Sequence, residues 1–411
     1  MIRRFEVHVE LEGVTVPMAD VDVDERGART VRADVRYQRS YLARTTKPPL
    51  DPATGFDSAL HVSEELPRGL TDAGPDDWGR RLIRRAHRGR ALSESEFVLA
   101  ADDLTRIGAL RLRTGTTGDF VSDSHDIPQL IEPQLIELSA LLEAARAVET
   151  EPDDLAAVRR LLGAGTGSLG GARPKASVRD GSQLMIAKFR STRDEIDIIA
   201  WEKVCLDLAG AAGIPVPVSR LMAVGGSRVL LLNRFDRTAE SHRVPYLSTF
   251  ALCEAPDAAS GDYLEIGEAL AELDIADHPR ALRALWRRAA FNVAVHNTDD
   301  HLKNHGVCWT KDGWQLSPAF DITPDPVAGA TRTTQIDGEN HPVREARALL
   351  GLALEFGIPA PEQRQILIEV LTSAGQWRSH AELIGISEGE INQVGRVLTE
   401  SQQRLATALD H

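Results

Sequence analysis

The spacing of apolar positions changes along the chain from a period of two to a helical period. Residues 5–37 alternate between apolar and polar side chains, which predicts strands of a small antiparallel sheet; the apolar positions are Phe5, Val7, Val9, Leu11, Val31, Ala33, Val35 and Tyr37. Further strands are predicted at residues 107–112, 182–189 and 228–236, and a β-hairpin at 307–316. We therefore expect strands to dominate the first part of the chain.

Helical spacing dominates from residue 248 onward. The clearest predicted helices are 281–295, 347–356, 361–374 and 388–409. Earlier helices are predicted at residues 133–149 and 195–212 and in an arginine-rich segment that ends near Arg88. Ser93 and Glu96 have the spacing of a capping box, and Asp153 or Asp154 is expected to cap a helix that ends at Gly163.

Composition and charge narrow the class of protein. The hydrophobic fraction of 42% is ordinary for a packed protein, and the net charge of −14 argues against a chain that coats nucleic acid by itself. Cys205, Cys253 and Cys308 lie far apart, as expected of buried thiols in a reducing cytoplasm. An apolar leader and an 18-residue uncharged run are both missing, so we expect a soluble cytoplasmic protein.

The densest positive patch has two possible interpretations. It is either a solvated helix face or a contact for an acidic partner surface or DNA in a larger complex. Composition does not choose between the two; the patch consists of Arg80, Arg81, Arg84, Arg85, Arg88 and Arg90.

Three polar residues stand in the order and spacing of a kinase site. Phosphoryl transfer needs a carboxylate for the attacking hydroxyl, and an amide oxygen and a second carboxylate to hold Mg²⁺. Asp299 and Asn304 are five residues apart, as in the protein-kinase catalytic loop, and Asp321 stands where the D-F-G aspartate would, with Ile322 and Thr323 replacing Phe and Gly. The sequence therefore favours a kinase over a solvated loop.

The histidines around this segment leave a zinc site open as an alternative. The three candidate ligands are His296, His301 and His305. Of these, His301 and His305 have the His-x-x-x-His spacing that zinc-binding helices use. Lys303, Asn304 and the following glycine favour a turn over such a helix.

A glycine-rich loop and a strand lysine precede the kinase-like segment. Residues 163–175 contain five glycines, which let backbone N–H groups approach phosphate closely, although they match neither the Walker A nor the G-x-G-x-x-G pattern and such loops also occur in linkers. Lys188 lies on a predicted strand, and Glu202 on the following helix is placed to pair with it as in kinases. The strand predicted at 228–236 contains candidates for the wall of a nucleotide site, which could instead be core residues. They are Leu232, Asn233 and Phe235.

Four stretches in order resemble the HipA family, the serine/threonine-kinase toxins of bacterial toxin–antitoxin pairs. The first is Thr-Asp-Asp-His-Leu-Lys-Asn at 298–304 together with Ala-Phe-Asp-Ile at 319–322. The others are residues 168–175, 186–188 and 233–237, so the resemblance covers roughly residues 160–325.

The resemblance implies a fold and a domain division. We expect an α+β, two-lobed protein-kinase-like fold, similar to HipA and phosphoinositide kinases, with a small β-rich N-terminal subdomain and an all-helical C-lobe. The subdomain would span residues 1–150, the N-lobe with the phosphate loop 151–247, and the C-lobe with the catalytic loop 248–411.

The resemblance and the kinase spacing together assign roles to individual residues. Asp299 would be the base, with Lys303 neutralising the γ-phosphate, and Asn304 and Asp321 would hold Mg²⁺. Ser168 aligns with the family's inhibitory autophosphorylation site. The expected ATP-binding residues are Lys188, Glu202, Lys175, Gly170, Gly171, Ala172, Leu232, Asn233, Phe235 and His301.

The family also implies partners and a target. These are a small helix-turn-helix HipB-like antitoxin, with DNA contacted only indirectly through it, and an aminoacyl-tRNA synthetase as substrate, with the glutamyl enzyme favoured. Two alternatives remain open: a small-molecule or lipid kinase on the same fold, and an inactive kinase-derived corepressor scaffold for an antitoxin.

Overall fold

The computed structural model describes residues 1–115, 118–121, 135–151 and 153–409, with backbone only at 135–137. The chain forms two compact units. Unit 1 contains Met1–Arg193 and Met222–Leu247, and unit 2 contains Asp194–Leu221 and Ser248–His411. The division into residues 1–150, 151–247 and 248–411 stays a prediction.

The secondary-structure elements are numbered in chain order. The strands are β1 (Ile2–Leu11), β2 (Val14–Arg26), β3 (Arg29–Tyr37), β4 (His61–Ser63), β5 (Leu110–Arg113), β6 (Lys175–Asp180), β7 (Gln183–Phe189), β8 (Ser219–Val224), β9 (Ser227–Asn233), β10 (Tyr246–Ser248), β11 (Gly261–Asp262), β12 (Gly306–Thr310), β13 (Gly313–Leu316) and β14 (Thr334–Gln335). The helices are α1 (Arg39–Leu42), α2 (Arg68–Asp72), α3 (Asp77–Ala86), α4 (Glu94–Ala100), α5 (Leu135–Thr150), α6 (Leu155–Gly163), α7 (Ile198–Ala211), α8 (Thr249–Leu252), α9 (Tyr263–Ala271), α10 (His278–Ala294), α11 (Glu345–Glu355), α12 (Ala360–Ala374), α13 (Trp377–Ile384) and α14 (Glu388–Leu409). Two 3-10 turns are Thr166–Ser168 and Leu302–Asn304.

The N-terminal sheet of unit 1 forms as the alternating pattern predicts. Its five strands have the order β4-β3-β2-β1-β5. The alternate apolar residues of β1 lie in one buried cluster with Val35 and Tyr37 of β3, whereas the polar residues between them face outward. Strand β5 falls where residues 107–112 predict a strand.

A second sheet in unit 1 has two different faces. Strands β6, β7 and β9 are antiparallel neighbours in that order. One face packs with α3, α5 and α6 into an apolar core that includes Ala176, Val178, Ala187 and Leu231. Because side chains alternate along a strand, the residues between these four point to the other face.

The caps of unit 1 follow the sequence signals. Ser93 caps α4 with a complete capping box to Glu96, and the side chain of Asp154 accepts from the backbone at the start of α6. Helix α5 lies where 133–149 predicts one, although its predicted first residues lie outside the described part of the chain.

Unit 2 is mainly helical and is arranged around α10. This helix packs against α9, α11, α12 and α14, while α7 packs against α12 and α13. The predicted hairpin is present as β12 and β13, in which Val307 pairs with Leu316 and the rings of Trp309 and Trp314 lie 5.3 Å apart. In the described part of the chain, no helix is long and apolar enough to cross a membrane.

Candidate active site

The segment after α10 is held at its start by His296. This residue has a left-handed backbone, with φ of 49°. Its buried imidazole lies 3.1 Å from the carbonyl oxygen of Val327 through Nε2 and 3.3 Å from the Ser401 hydroxyl through Nδ1. A carbonyl oxygen only accepts, so Nε2 carries the proton and Nδ1 accepts from Ser401. His296 therefore fixes the loop and is not presented to a ligand.

Asp299 and Asn304 are brought together by a hydrogen bond. The Asn304 Nδ2 donates to the backbone oxygen of Asp299 at 3.0 Å, and Asn304 N donates to the His301 oxygen at 2.8 Å. Asp299 is exposed whereas Asn304 is buried. Because the amide nitrogen is turned toward Asp299, the carboxamide oxygen points away and is the atom that can coordinate a cation.

Asp321 has an uncommon backbone conformation. Its φ is 58°, which lies in the left-handed region. Residues other than glycine rarely adopt this backbone conformation, because it costs them free energy. The next residue, Ile322, is buried and anchors the turn. Such strain concentrates at functional sites, where it aims a side chain that an extended backbone would turn elsewhere.

A buried charged network lies beneath residues 296–305, which form the predicted catalytic loop. This network was not predicted from the sequence. The carboxylate of Asp300 accepts from the Tyr263 hydroxyl at 2.5 Å, lies 2.8 Å from His305 Nε2 and 3.6 Å from Arg332. Arg332 also donates to the Asn297 oxygen at 2.8 Å and pairs with Glu345 at 3.0 Å. The network ties both ends of the loop to α9, to α11 and to the segment before α11.

The charges in this network set the protonation state of Asp300. Burial raises the pKa of its carboxyl, but the opposing charges of His305 and Arg332 and the hydrogen bonds from His305 and Tyr263 lower it to about 2. Burial beside the Asp300 charge raises the pKa of the Tyr263 phenol well above its ordinary value. In the sequence, the only sign of this network was the Asp299-Asp300 pair, of which Asp300 has the structural role.

His301 and Lys303 occupy the loop between the two predicted site residues. Both are half-buried, and the Lys303 ammonium lies 5.5 Å from the Phe250 ring centroid. The zinc alternative required His301 and His305 on one α-helix, but the residues between them form a 3-10 turn and His305 is bonded to Asp300. Among the described residues, no group of three or more His, Cys, Asp or Glu side chains is arranged to hold a metal ion.

The glycine-rich loop of unit 1 holds Ser168 in a buried position. Gly165, with φ of 67°, starts the 3-10 turn that ends at Ser168. The Ser168 hydroxyl accepts from Thr105 Oγ1 at 3.0 Å and donates to the Asp102 backbone oxygen at 3.4 Å. Ser168 has no exposed surface, so a phosphate reaches it only if the loop moves.

The end of this loop is held by the start of α3. Gly171, with φ of 85°, donates its N–H to Asp76 Oδ2 at 3.1 Å and accepts from Trp78 N at 3.2 Å. Arg81 donates to the Ala172 oxygen at 2.5 Å. The Asp-Asp-Trp-Gly segment at 76–79 therefore positions the glycine-rich loop, a role that the sequence reading did not assign.

Two lysines face each other on the second sheet. Lys175 on β6 is paired in register with Lys188 on β7, both side chains are buried, and the Lys175 ammonium also donates to the Gly170 oxygen. Lys188 lies in unit 1 and Glu202 is buried on α7 in unit 2, and their pairing stays a prediction.

The proposed nucleotide wall divides into two parts. Leu232 is buried, whereas the half-buried Asn233 donates from Nδ2 to Gln183 Oε1 at 3.2 Å, and the rings of Phe235 and Tyr246 lie 5.6 Å apart. The polar residues that follow are structural, because Asp236 binds Arg234 and Arg237 and accepts from Gly108 N at 2.7 Å; the positive charges of the arginines lower its pKa against the effect of burial.

The arginine patch is largely engaged within unit 1. Arg80 pairs with Glu94 at 2.6 Å, Arg90 pairs with Glu96 at 2.9 Å, and Arg85 donates to the Val148 oxygen at 2.6 Å. Arg84 lies over the Phe97 ring at 5.1 Å. Most of this charge therefore supports the packing of α3 against its neighbours.

Comparison with known proteins places these observations in a family. The family model of the HipA-like C-terminal domain matches residues 167–378, more than half of the chain, and this range includes most of the glycine-rich loop and the loop that carries Asp299 and Asn304. The chain belongs to the HipA family. Among curated proteins, no sequence matches this chain significantly.

Solved structures confirm the fold class. HipA of Shewanella oneidensis MR-1, in a complex with HipB and its operator DNA, matches over 99% of both chains with a TM-score of 0.72 and 16% identity. The Helicobacter pylori proinflammatory kinase CtkA matches over 59% of this chain and 93% of its own, with a TM-score of 0.47 and 14% identity. The match to the Shewanella HipA confirms the α+β, two-lobed kinase-like HipA fold class that the sequence predicted.

The residues present fit ATP and magnesium as ligands. Asn304 presents a carboxamide oxygen and Asp321 a carboxylate on a constrained backbone, and hard oxygen ligands of this kind suit Mg²⁺, which keeps several of its own waters. Lys175 and Lys188 offer two ammonium groups on one sheet face, beside the apolar side chain of Leu230. A ligand with several negative charges and an apolar portion would match these ammonium groups and the apolar side chain beside them.

Proposed function

We propose that this HipA-family protein is an ATP- and Mg²⁺-dependent serine/threonine protein kinase that acts as the toxin of a HipA-type toxin–antitoxin pair. The observation that carries the proposal is the catalytic loop, in which Asn304 is bonded to Asp299 and both lie above a buried charged network. A loop locked in this way suits a reaction whose catalysis is mainly positioning and charge stabilisation.

Each residue of the site has a role in the proposed reaction. Bound ATP with Mg²⁺ would supply the γ-phosphoryl group, and ADP would leave as the bond between the γ-phosphorus and the bridging oxygen breaks. The exposed carboxylate of Asp299 orients the serine or threonine hydroxyl of the substrate and accepts its proton as the oxygen–phosphorus bond forms. Asn304 and Asp321 hold the metal, and Lys303 neutralises charge on the transferred group.

Unit 1 supplies the nucleotide contacts in this proposal. Lys188, braced by Glu202, and Lys175 hold the phosphates, together with the backbone of Gly170, Gly171 and Ala172. The base lies against the wall residues, and His301 of unit 2 contacts the nucleotide or fixes the loop; the wall residues are Leu232, Asn233 and Phe235.

Ser168 is proposed as the inhibitory autophosphorylation site. Its buried hydroxyl is bonded to Thr105 and Asp102, so phosphorylation requires the glycine-rich loop to leave this position. The added phosphate carries roughly −1.5 to −2 charge and cannot return to a site that lacks exposed surface. The modified loop would then no longer offer its backbone to ATP.

The proposed partners follow from the family. The Shewanella HipA binds HipB and operator DNA, and we propose a small helix-turn-helix HipB-like antitoxin for this chain, with DNA contacted only through it. The net charge of −14 is consistent with indirect contact. The proposed substrate is an aminoacyl-tRNA synthetase, with the glutamyl enzyme favoured, so the toxin would inhibit translation.

Phosphopeptide mass spectrometry tests the proposal. The purified protein is incubated with Mg-ATP and bacterial lysate, beside Asp299→Asn and Asp321→Asn, which we expect to lower phosphotransfer by about a thousandfold or more. The matched control is Asp337→Asn, because Asp337 also has a positive φ, of 51°, but is exposed and lies outside the site. Its activity should equal that of the wild type.

The same experiment separates the alternatives. Labelling of Ser168 and of one lysate protein by the wild type and by the Asp337 control alone supports the protein kinase. ATP hydrolysis or labelled small molecules without any phosphoprotein would instead indicate a small-molecule or lipid kinase. ATP binding without any phosphotransfer, combined with antitoxin binding, would indicate an inactive corepressor scaffold.

A further inference from the structure

The outward face of the second sheet in unit 1 has two rows of side chains with different chemistry. In the first row the register places Lys175, Lys188 and Leu230 side by side across β6, β7 and β9. In the second row, two residues away along each strand and therefore about 7 Å distant, it places Ser177, Ile186 and Leu232 side by side. The second row is apolar except for one hydroxyl.

That hydroxyl is buried without a hydrogen-bond partner among the described residues. Ser177 is 2% exposed, and its Oγ is one of the buried polar atoms that no described group satisfies. Its neighbours Ala176 and Val178 belong to the apolar core on the opposite face, so Ser177 faces the lysine side of the sheet. An unpaired buried hydroxyl destabilises the protein and therefore calls for an explanation.

We propose that Ser177 is a specificity residue that hydrogen-bonds the polar edge of the nucleotide base. This inference rests on the proposed function, because it takes the lysine row as the phosphate subsite. In this row Ile186 lies beside Ser177 and Leu232 lies beside Ile186, and these two apolar side chains suit the flat face of a base better than a hydroxyl-rich ribose. Because the Ser177 Oγ is buried in the nucleotide-free protein, a base reaches it only when the side chains that cover it move aside, and the base then supplies the partner that the described residues do not.

The proposal predicts opposite effects on stability and on binding. Replacing Ser177 by alanine removes a hydroxyl that makes no hydrogen bond with the described residues of the nucleotide-free protein. The melting temperature should therefore stay within about 2 °C of the wild type or rise. The same change removes one hydrogen bond to bound nucleotide, so the Kd for ATP should increase about three- to tenfold. If Ser177 only packed against its neighbours, Ser177→Ala would not weaken ATP binding while leaving the melting temperature unchanged.

Calorimetric titration of the full-length protein with Mg-ATP, inorganic tripolyphosphate and 2′-deoxy-ATP tests the assignment. Ser177→Ala should weaken ATP and 2′-deoxy-ATP by the same factor and leave tripolyphosphate unchanged, whereas Lys188→Met should weaken all three. Ser177→Thr, which keeps the hydroxyl, should restore much of the ATP affinity. The matched control is Ser95→Ala, because the buried Ser95 hydroxyl already donates to Glu25 at 2.6 Å; it should lower the melting temperature without changing any Kd.

Three results would overturn the inference. They are an unchanged Kd for ATP in Ser177→Ala, an equal loss for tripolyphosphate, or a loss confined to the ribose form, which would place the contact on the 2′-hydroxyl. Wild-type protein that binds neither ATP nor tripolyphosphate would overturn the proposed function and this inference with it. Binding of ATP by the wild type combined with any of the first three results would overturn the inference alone.

Discussion

The catalytic loop and the glycine-rich loop are held in place by different kinds of interaction. Beneath the catalytic loop, Asp300, His305 and Arg332 form buried charge-assisted hydrogen bonds and ion pairs. The glycine-rich loop is held around Ser168 by the neutral Thr105 hydroxyl and a backbone carbonyl. Charge-assisted bonds are about twice as strong as neutral ones, so the segment around Ser168 is held more weakly than the catalytic loop, whereas the end of the glycine-rich loop is held by the charged side chains of Asp76 and Arg81.

Removing the charged anchor should have the largest effect on this difference. Asp300→Ala leaves the buried His305 without its carboxylate partner and leaves Arg332 with Glu345 alone, and we expect unit 2 to lose about 3 kcal/mol of unfolding free energy. Urea denaturation at neutral pH measures the loss. We also expect kcat to fall at least about tenfold with a smaller change in KM for ATP, because the loop is misplaced and the nucleotide contacts of unit 1 remain.

Glu355→Gln is the control for this prediction. Glu355 is an exposed carboxylate on α11 of the same unit, so its replacement should change stability by less than about 0.5 kcal/mol. An Asp300→Ala protein as stable as this control would show that the network does not hold the loop.

The pH dependence of stability gives the next effect in size. The unfolded carboxyl of Asp300 titrates near 3.8 and the folded one near 2, so its contribution is present in full above about pH 4 and is lost as the pH falls towards 2. The shift corresponds to about 2 kcal/mol. Wild type and Asp300→Asn should therefore converge in stability by about that amount between pH 5 and pH 2. A constant difference over this range would show that folding does not lower the pKa of the Asp300 carboxyl.

The two loops also differ in how far the sequence predicted them. Asp299, Asn304 and Asp321 were predicted as site residues because phosphoryl transfer requires those groups in a fixed order, and the hairpin between Asn304 and Asp321 was predicted from a short segment that contains Trp and Gly. Asp300 was adjacent but its role was hidden, because its partners Tyr263 and Arg332 are distant in sequence. Pairing between distant residues leaves no periodic signal in a single sequence.

The same limit applies to the glycine-rich loop. Its glycines predicted a backbone that could approach phosphate, and Gly165 and Gly171 do have positive φ. The residues that hold it, Asp76 and Thr105, lie 95 and 63 positions before their partners in the chain, and each is an ordinary polar residue in its local sequence. Ser177 was missed for another reason, since an unsatisfied hydroxyl is recognised only when the surrounding atoms are known.

The smallest expected effect comes from loosening the glycine-rich loop. Thr105→Val keeps the shape of the side chain but removes the hydrogen bond to Ser168, which should cost about 1 kcal/mol of stability. Because the buried state of the loop is weakened by that amount, its open state should be populated about fivefold more, and Ser168 should be phosphorylated faster by a similar factor. Thr71→Val is the matched control, since it removes a comparable bond to the Arg68 oxygen, at 2.9 Å, away from the loop. Quantitative phosphopeptide time courses measure both variants, and equal rates for the two would mean that the Thr105 hydroxyl does not restrain Ser168.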